Sequence, residues 1–381
     1  MEGVIVKKII VIIFAVVFFA YDNGTTEAQT PRIIVEPLLK TQWGQGNPFN
    51  SVLPMVSNNR PLTDCSNIAI AQIMRFHRHP IRGSGQSEPY TMNNGILLPS
   101  LIFNVNYDWN NMLNTYTSSA TEQQRNAVAS LVYHIGVSRE FDWSNLSSRL
   151  SVQEALSTFF GYDKSIQRHY RIYYDDATWE ALIREQLDAG LPVYYWGTNQ
   201  KKTPSHTFVI DGYDNTGKFH INWGWNGRDD GYYSLNALNP PNYDFNYDQT
   251  IVINIKPDKG GVGSNEMALH DFTSEKTSVL QNERFTVTAR IRSMGFYTGG
   301  QIGAALVNNN GNIVAVIGMV SLNPLNSGGT WLRTINNCTV PNTVAKGQYR
   351  LCIVTRPEGG DWKLVTLSLP DTPKSIDFTV R

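Results

Sequence analysis

Between residues 257 and 265 the hydrophobic pattern of this chain changes period, and the change divides it into two folds. Pro257, Gly260, Gly261 and Gly263 make that stretch a linker. Ahead of it, residues 29–256 carry segments with helical spacing. One runs from Ser119 to Gly136 and opens with a capping pair, Ser119 and Glu122; another runs from Ser151 to Gly161 and repeats the pair with Ser151 and Glu154. A third is expected from Thr178 to Ala189, stopped at Gly190 and followed by the strand-like run Leu191–Trp196. Beyond the linker, in residues 266–381, helical spacing disappears. Phe285–Ile291, Gly303–Val307, Ile313–Val320, Tyr349–Thr355 and Ile376–Val380 are short, β-branched and separated by Asn, Gly and Pro clusters. The sequence therefore predicts a mixed α+β domain joined to an all-β sandwich.

The size and strand spacing of the second part give the sandwich an immunoglobulin-like character. With 41% hydrophobic and 17% charged residues, the chain has the composition of a folded globular protein. Lys plus Arg and Asp plus Glu are 32 each, so no overall field favours nucleic acid or an anionic membrane. Lys7 and Lys8 precede an apolar run of 12 residues, Ile9–Ala20, and small residues at Thr26 and Ala28 follow. Residues 1–28 thus read as an export signal. A spanning helix takes about 20 apolar residues, so stable membrane insertion is not expected.

Three cysteines in an exported chain leave at least one thiol without an intramolecular partner. Cys338 and Cys352 lie in two strand-like stretches and can pair if those strands are neighbours. Cys65 directly precedes Ser66–His79, where Ile68, Ala69, Ala71, Ile73, Met74 and Phe76 supply an apolar helical face and Pro80 ends the segment. A thiol at a helix N-terminus meets unsatisfied N–H groups and the positive end of the dipole. That placement lowers a thiol pKa from about 8.5 toward the range of roughly 3.5–7.5. Asp64 opposes this unless its carboxylate turns away to cap the helix. A buried structural cysteine is the alternative.

A second constellation lies downstream. Ser205–Tyr213 and Lys218–Trp225 read as two strands joined by the turn Asp214-Asn215-Thr216-Gly217. A turn centred between Asn215 and Thr216 pairs residues whose numbers sum to 215 + 216 = 431, which sets His206 opposite Trp225 and Phe208 opposite Trp223. His206 and Trp223 then share a face, and the indole shields the imidazole from water. Asn222 points to the other face unless a bulge shifts the parity, in which case its side-chain oxygen competes as the imidazole's orienter. His206 follows Cys65 by 206 − 65 = 141 residues, within the spacing of about 130–150 for a helix-borne nucleophilic Cys and a strand-borne His base. His77 and His79 lack a third ligand, so no metal or other cofactor is expected.

Acyl transfer to a thiolate also needs a donor for the developing oxyanion. Gln45, in the turn-rich segment Gln42–Asn50, carries an amide that can bend close to the start of the Cys65 helix. Taken together, Gln45-Gly46-Asn47-Pro48-Phe49-Asn50, Cys65 with Ala69–Met74, Pro192–Tyr195, His206–Gly212, Asn222–Trp225 and Leu235–Pro240 resemble the streptopain family of bacterial cysteine proteases. The resemblance spans about residues 38–255 and implies a papain-like cysteine peptidase domain.

What the resemblance implies is specific. Cys65 and His206 would be the catalytic pair, Gln45 the oxyanion donor and Trp223 the shield, with Asn222 beside it. Ser205 would stand where the family has Gly at the wall of the substrate pocket, and Phe141 and Trp143 would belong to the pocket loop. Proteins or peptides would be the substrates, with a hydrophobic residue preferred just N-terminal to the one donating the cleaved carbonyl. The protein would be secreted, periplasmic or on the surface of a bacterium. The family places a propeptide of domain size between signal and enzyme, whereas Gln45 follows Ala28 by only 45 − 28 = 17 residues. Latency would then come from elsewhere, for instance a separate proteinaceous inhibitor. Asp64 also replaces the family's Gly. Two rival readings use the same residues: another Cys-His acyl transferase or amidase, and a catalytically impaired protease-like binding or adhesion protein.

Overall fold

A computed structural model describes residues 31–381. The expected export signal lies outside the described residues, and among the described residues no helix is long and apolar enough to cross a membrane.

Among the described residues, four α-helices, a seven-stranded antiparallel sheet and two short two-stranded ribbons build the first part. Helix α1 (Cys65–His77) starts one residue earlier than its apolar spacing suggested, because Asp64 caps it. Its residues Ser66 to Met74 are all buried, so it is a core helix rather than a one-sided one. Gln72, fully buried within it, is satisfied: Oε1 accepts from the Thr41 hydroxyl at 2.8 Å, and Nε2 donates to Asn222 Oδ1 at 2.9 Å. Helix α2 (Glu122–Ser138) carries its capping box on Thr121 and Gln124, not on Ser119 and Glu122. Ser119 is instead held in the preceding turn by the Thr117 hydroxyl. Helix α3 (Val152–Phe159) has the Ser151–Glu154 box, and α4 (Asp176–Asp188) is capped by Asp175.

The sheet runs Gly231–Tyr233, Phe219–Asn222, Ser205–Asp214, Val193–Thr198, Tyr247–Ile253, Gln167–Tyr170, with Ile33–Val35 also on the Ser205–Asp214 strand. Val209 pairs with Asn222 and Ile210 with Ile221, the register read from the sequence. A bulge then falls between Ile210 and Gly212, far from Gly224. Gly197 sits opposite His206, and a Cβ there would stand 2.3 Å from the Phe245 carbonyl oxygen. Glycine therefore lets the Phe245 segment close over the histidine.

Residues 254–266 are packed rather than free: Asp163 N–H donates to the Lys256 carbonyl, and the Asp163 carboxylate accepts from Gly261 N–H. The second part holds two β-sheets. Thr330–Thr339, Arg284–Ser293, Met267–Ser274 and Leu367–Ser368 form one; Ser278–Val279, Ile376–Val380, Gly347–Pro357, Gly300–Val307 and Ile313–Leu322 form the spine of the other. Inward residues of both, such as Val287 and Ile291 against Leu306 and Ile353, share one apolar core. Cys338 and Cys352 are both free and buried. The condition for pairing is not met, since the two strands are not neighbours within a sheet.

Candidate active site

Cys65 is the first residue of α1. Asp64 Oδ1 accepts from Ser66 N–H at 3.0 Å, so the carboxylate does cap the helix. It does not turn fully away: Oδ2 stands 3.8 Å from the Cys65 sulfur. Burial, and then the Asp64 charge, push the thiol up to about 12, overriding the favourable helix terminus. The helix-start placement expected from the sequence is present, and its thiolate-promoting effect is outweighed by burial and by Asp64. The Cys65 sulfur accepts a hydrogen bond from Thr207 N–H at 3.4 Å.

That bond sets the sulfur beside the peptide that follows His206. Nε2 of His206 lies 2.8 Å from the Trp223 carbonyl, which can only accept, so Nε2 carries the proton and Nδ1 holds the lone pair. The imidazole sits in an aromatic box, with ring centroids of Trp225 at 4.7 Å, Phe245 at 5.3 Å and Trp223 at 6.3 Å. Burial lowers its pKa to about 4. Cys65 lines a cleft with Ser205 and Thr207, the residues on either side of His206, while His206 itself is buried and makes no hydrogen bond to the sulfur.

Trp223 is clamped from two sides. Its N–H donates to Asp230 Oδ1 at 2.8 Å, and its indole N–H donates to the Asp229 carbonyl at 3.0 Å. Burial pushes Asp230 up to about 6. Asn222 does not orient the imidazole. Its Nδ2 donates to the Thr41 carbonyl at 2.7 Å, and its Oδ1 accepts from Gln72 and Gly224 N–H. The physical reason is parity: with the bulge upstream, Asn222 faces α1, and the Trp223 backbone carbonyl takes the orienting place.

Gln45 is bound to the segment before the nucleophile, Nε2 donating to the Thr63 carbonyl at 2.8 Å and its own carbonyl accepting from Thr63 N–H at 2.9 Å. One amide hydrogen remains for a further acceptor. A cleft of about 540 Å³ opens beside the sulfur, lined by Ser205, Thr207, Tyr194, Trp196, Phe141 and Leu146 among others. Trp143 is not part of it. It is buried at 2%, stacked on Tyr133, and fills the space a Cβ on Gly136 would need.

Arg139 was invisible to motif reasoning. Buried at the C-terminal end of α2, it lies 3.6 Å from Asp64 Oδ1, donates to Asn67 Oδ1 at 2.7 Å and also to the Ser66 hydroxyl. The available signal was the polar run Asp64, Ser66, Asn67 at the start of a buried helix, which demands a partner.

Residues 43–233, half of the chain, match the peptidase C10 family. The chain belongs to this family. Streptopain of Streptococcus pyogenes is 34% identical over an alignment of 264 residues that covers 61% of this chain and 65% of streptopain. The C10 chain thus spans less than two thirds of that relative's length. The thiol protease/hemagglutinin PrtT of Porphyromonas gingivalis is 27% identical over 368 residues, 91% of this chain and 41% of PrtT. Among solved structures, active wild-type interpain A, a cysteine protease of Prevotella intermedia, aligns with a TM-score of 0.52 at 36% identity, covering 57% of this chain and 93% of that one. A prointerpain A fragment of the same organism gives 0.51 at 35% identity, covering 58% and 73%. The first part of this C10 chain therefore has the papain-like α+β architecture, and a β-rich part follows it.

Proposed function

We propose that this chain is a secreted bacterial cysteine endopeptidase, its papain-like unit followed by an immunoglobulin-like sandwich. The observation that carries the reading is the cleft itself: a sulfur at a helix start, beside a strand whose histidine keeps Nδ1 unprotonated and Nε2 held by a carbonyl. Substrate entry turns the thiol from Asp64 toward Nδ1, which takes its proton. The sulfur then attacks the peptide carbonyl carbon, and the oxyanion is met by the Gln45 amide and the Cys65 N–H. His206 returns the proton to the leaving amine, and water, activated by the same nitrogen, hydrolyses the thioester. Trp223 shields the imidazole throughout. Phe141, Leu146, Tyr194 and Trp196 give the cleft an apolar wall suited to a hydrophobic residue at the second position before the scissile bond, narrowed by Ser205. The export signal expected at residues 1–28 supports secretion.

Cleavage of casein under reducing conditions, lost in Cys65→Ala, tests the assignment. An intact casein band with the unaltered chain would sink it. The raised thiol and the missing Cys65–His206 bond favour a second reading, a protease-like binding protein, which predicts that an epoxide thiol-protease inhibitor leaves Cys65 unlabelled.

A further inference from the structure

We propose that the same cleft carries a second recognition point, Arg168, which takes the carboxylate of an acidic residue in the peptide, and that the β-sandwich holds this guanidinium in place; the proposal rests on the endopeptidase reading above. Charge pairing singles out Arg168. The cleft is lined by Arg139, Arg149 and Arg168 and by two carboxylates, Asp64 and Glu154. Arg139 is paired with Asp64, and Arg149 with Glu140. Glu154 accepts from Ser151 N–H and from the Asn326 amide. Arg168 meets no carboxylate: Nη2 donates to Gln153 Oε1 at 3.3 Å, and its buried Nε has no partner. A half-buried guanidinium served by one neutral oxygen has donors to spare, in the planar fork that a carboxylate fits.

The sandwich fixes that fork. Arg168 N–H donates to the Met294 carbonyl at 2.7 Å. Gln153, which receives the guanidinium, donates in turn to the Ser327 hydroxyl at 3.1 Å, and Ser327 donates to the same Met294 carbonyl at 2.8 Å. Gly328, next to Ser327, lies against Tyr170, whose hydroxyl stands 2.9 Å from where a Cβ on Gly328 would be. One end of the cleft is therefore held by residues of the second part of the chain.

Strand spacing sets which substrate residue reaches it. The strand of Arg168 is third from the strand of His206, with the Tyr194 and Thr250 strands between. Three steps of about 4.8 Å make about 14 Å, and an extended peptide advances about 3.3 Å per residue. That distance is about four residue steps from the residue carrying the scissile carbonyl, and the long arginine side chain reaches back across one or two of them, so a peptide with its scissile carbonyl at Cys65 brings its third or fourth residue on the N-terminal side within reach of Arg168, beyond the apolar wall.

The test uses paired peptides with a hydrophobic second residue and either Glu or Gln at the third and fourth positions, cleaved by the full chain and by Arg168→Gln, Arg168→Lys and Ser327→Ala. The unaltered chain should favour Glu about fivefold in kcat/KM, mainly through KM, the size of a modestly buried ion pair. The ratio should shrink in high salt. It should fall to about one in Arg168→Gln, stay partly preserved in Arg168→Lys, and be reduced in Ser327→Ala. A ratio of one in the unaltered chain, or an undiminished ratio in Arg168→Gln, overturns the proposal. Failure to cleave either peptide overturns the endopeptidase reading and this proposal with it, an outcome distinct from cleavage without preference.

Discussion

Arg139 and Asp64 form an ion pair at 3.6 Å, and the same Asp64 carboxylate stands 3.8 Å from the sulfur of Cys65. One acid therefore caps the helix, engages a buried cation and holds the nucleophile protonated. Burial raises the thiol most and the Asp64 charge adds to it.

Asp64→Asn separates these roles. The amide keeps an oxygen for Ser66 N–H but removes the charge, so the alkylation rate of Cys65 by iodoacetamide should rise at lower pH, its midpoint falling by about one unit. Stability should drop by about 1–3 kcal/mol, since Arg139 loses its counter-charge while Asp64 is only partly buried. A midpoint that stays put would show that burial alone sets the thiol.

Acid should destabilise the chain in a defined window. His77, His134, His169 and His206 are each lowered by burial to about 4. An unfolded histidine titrates near 6.5, so below that value the unfolded chain binds protons that the folded chain refuses. Their contribution is complete above about 6.5 and is lost as pH falls toward 4. Asp230, held up at about 6, runs the other way and offsets part of the loss. Thermal melts from pH 7 to pH 4 should show a net loss on the order of several kcal/mol. A flat Tm over that range would contradict these burials.

How much of this was legible in sequence follows from the range of each force. The Ser151–Glu154 box and the hairpin register depend on residues a few positions apart; the box stands where the pattern put it, and the register holds at Val209–Asn222 and Ile210–Ile221 but shifts by one residue nearer the turn. Trp223 lies on the His206 side of the hairpin, with ring centroids 6.3 Å apart, although Trp225 stands nearer at 4.7 Å. What sequence could not supply was contact across 70 or more residues. Arg139 reaches Asn67, 72 positions away, and Asn222 turns to Gln72, 150 positions away. Trp143 carries the same local signal as Phe141 but fills the core beneath α2, because Gly136 leaves an opening there that only the fold reveals.

Asp230 is expected to act on the reaction without touching substrate. Its carboxylate accepts the Trp223 N–H, and the carbonyl of Trp223 accepts from His206 Nε2, so the acid fixes the residue that fixes the imidazole. Asp230→Ala leaves a buried N–H without its acceptor, a cost of about 1–3 kcal/mol, and should lower kcat/KM about tenfold as the imidazole loses its alignment. Asp230→Asn retains an acceptor oxygen and should recover most of that rate. Because the acid titrates near 6, the unaltered chain should show an additional decline in kcat/KM as pH falls through that value, and Asp230→Asn should lack it. Equal rates for the two variants, or identical pH profiles for Asp230→Asn and the unaltered chain, would mean that Trp223 is held by its indole bond to Asp229 alone.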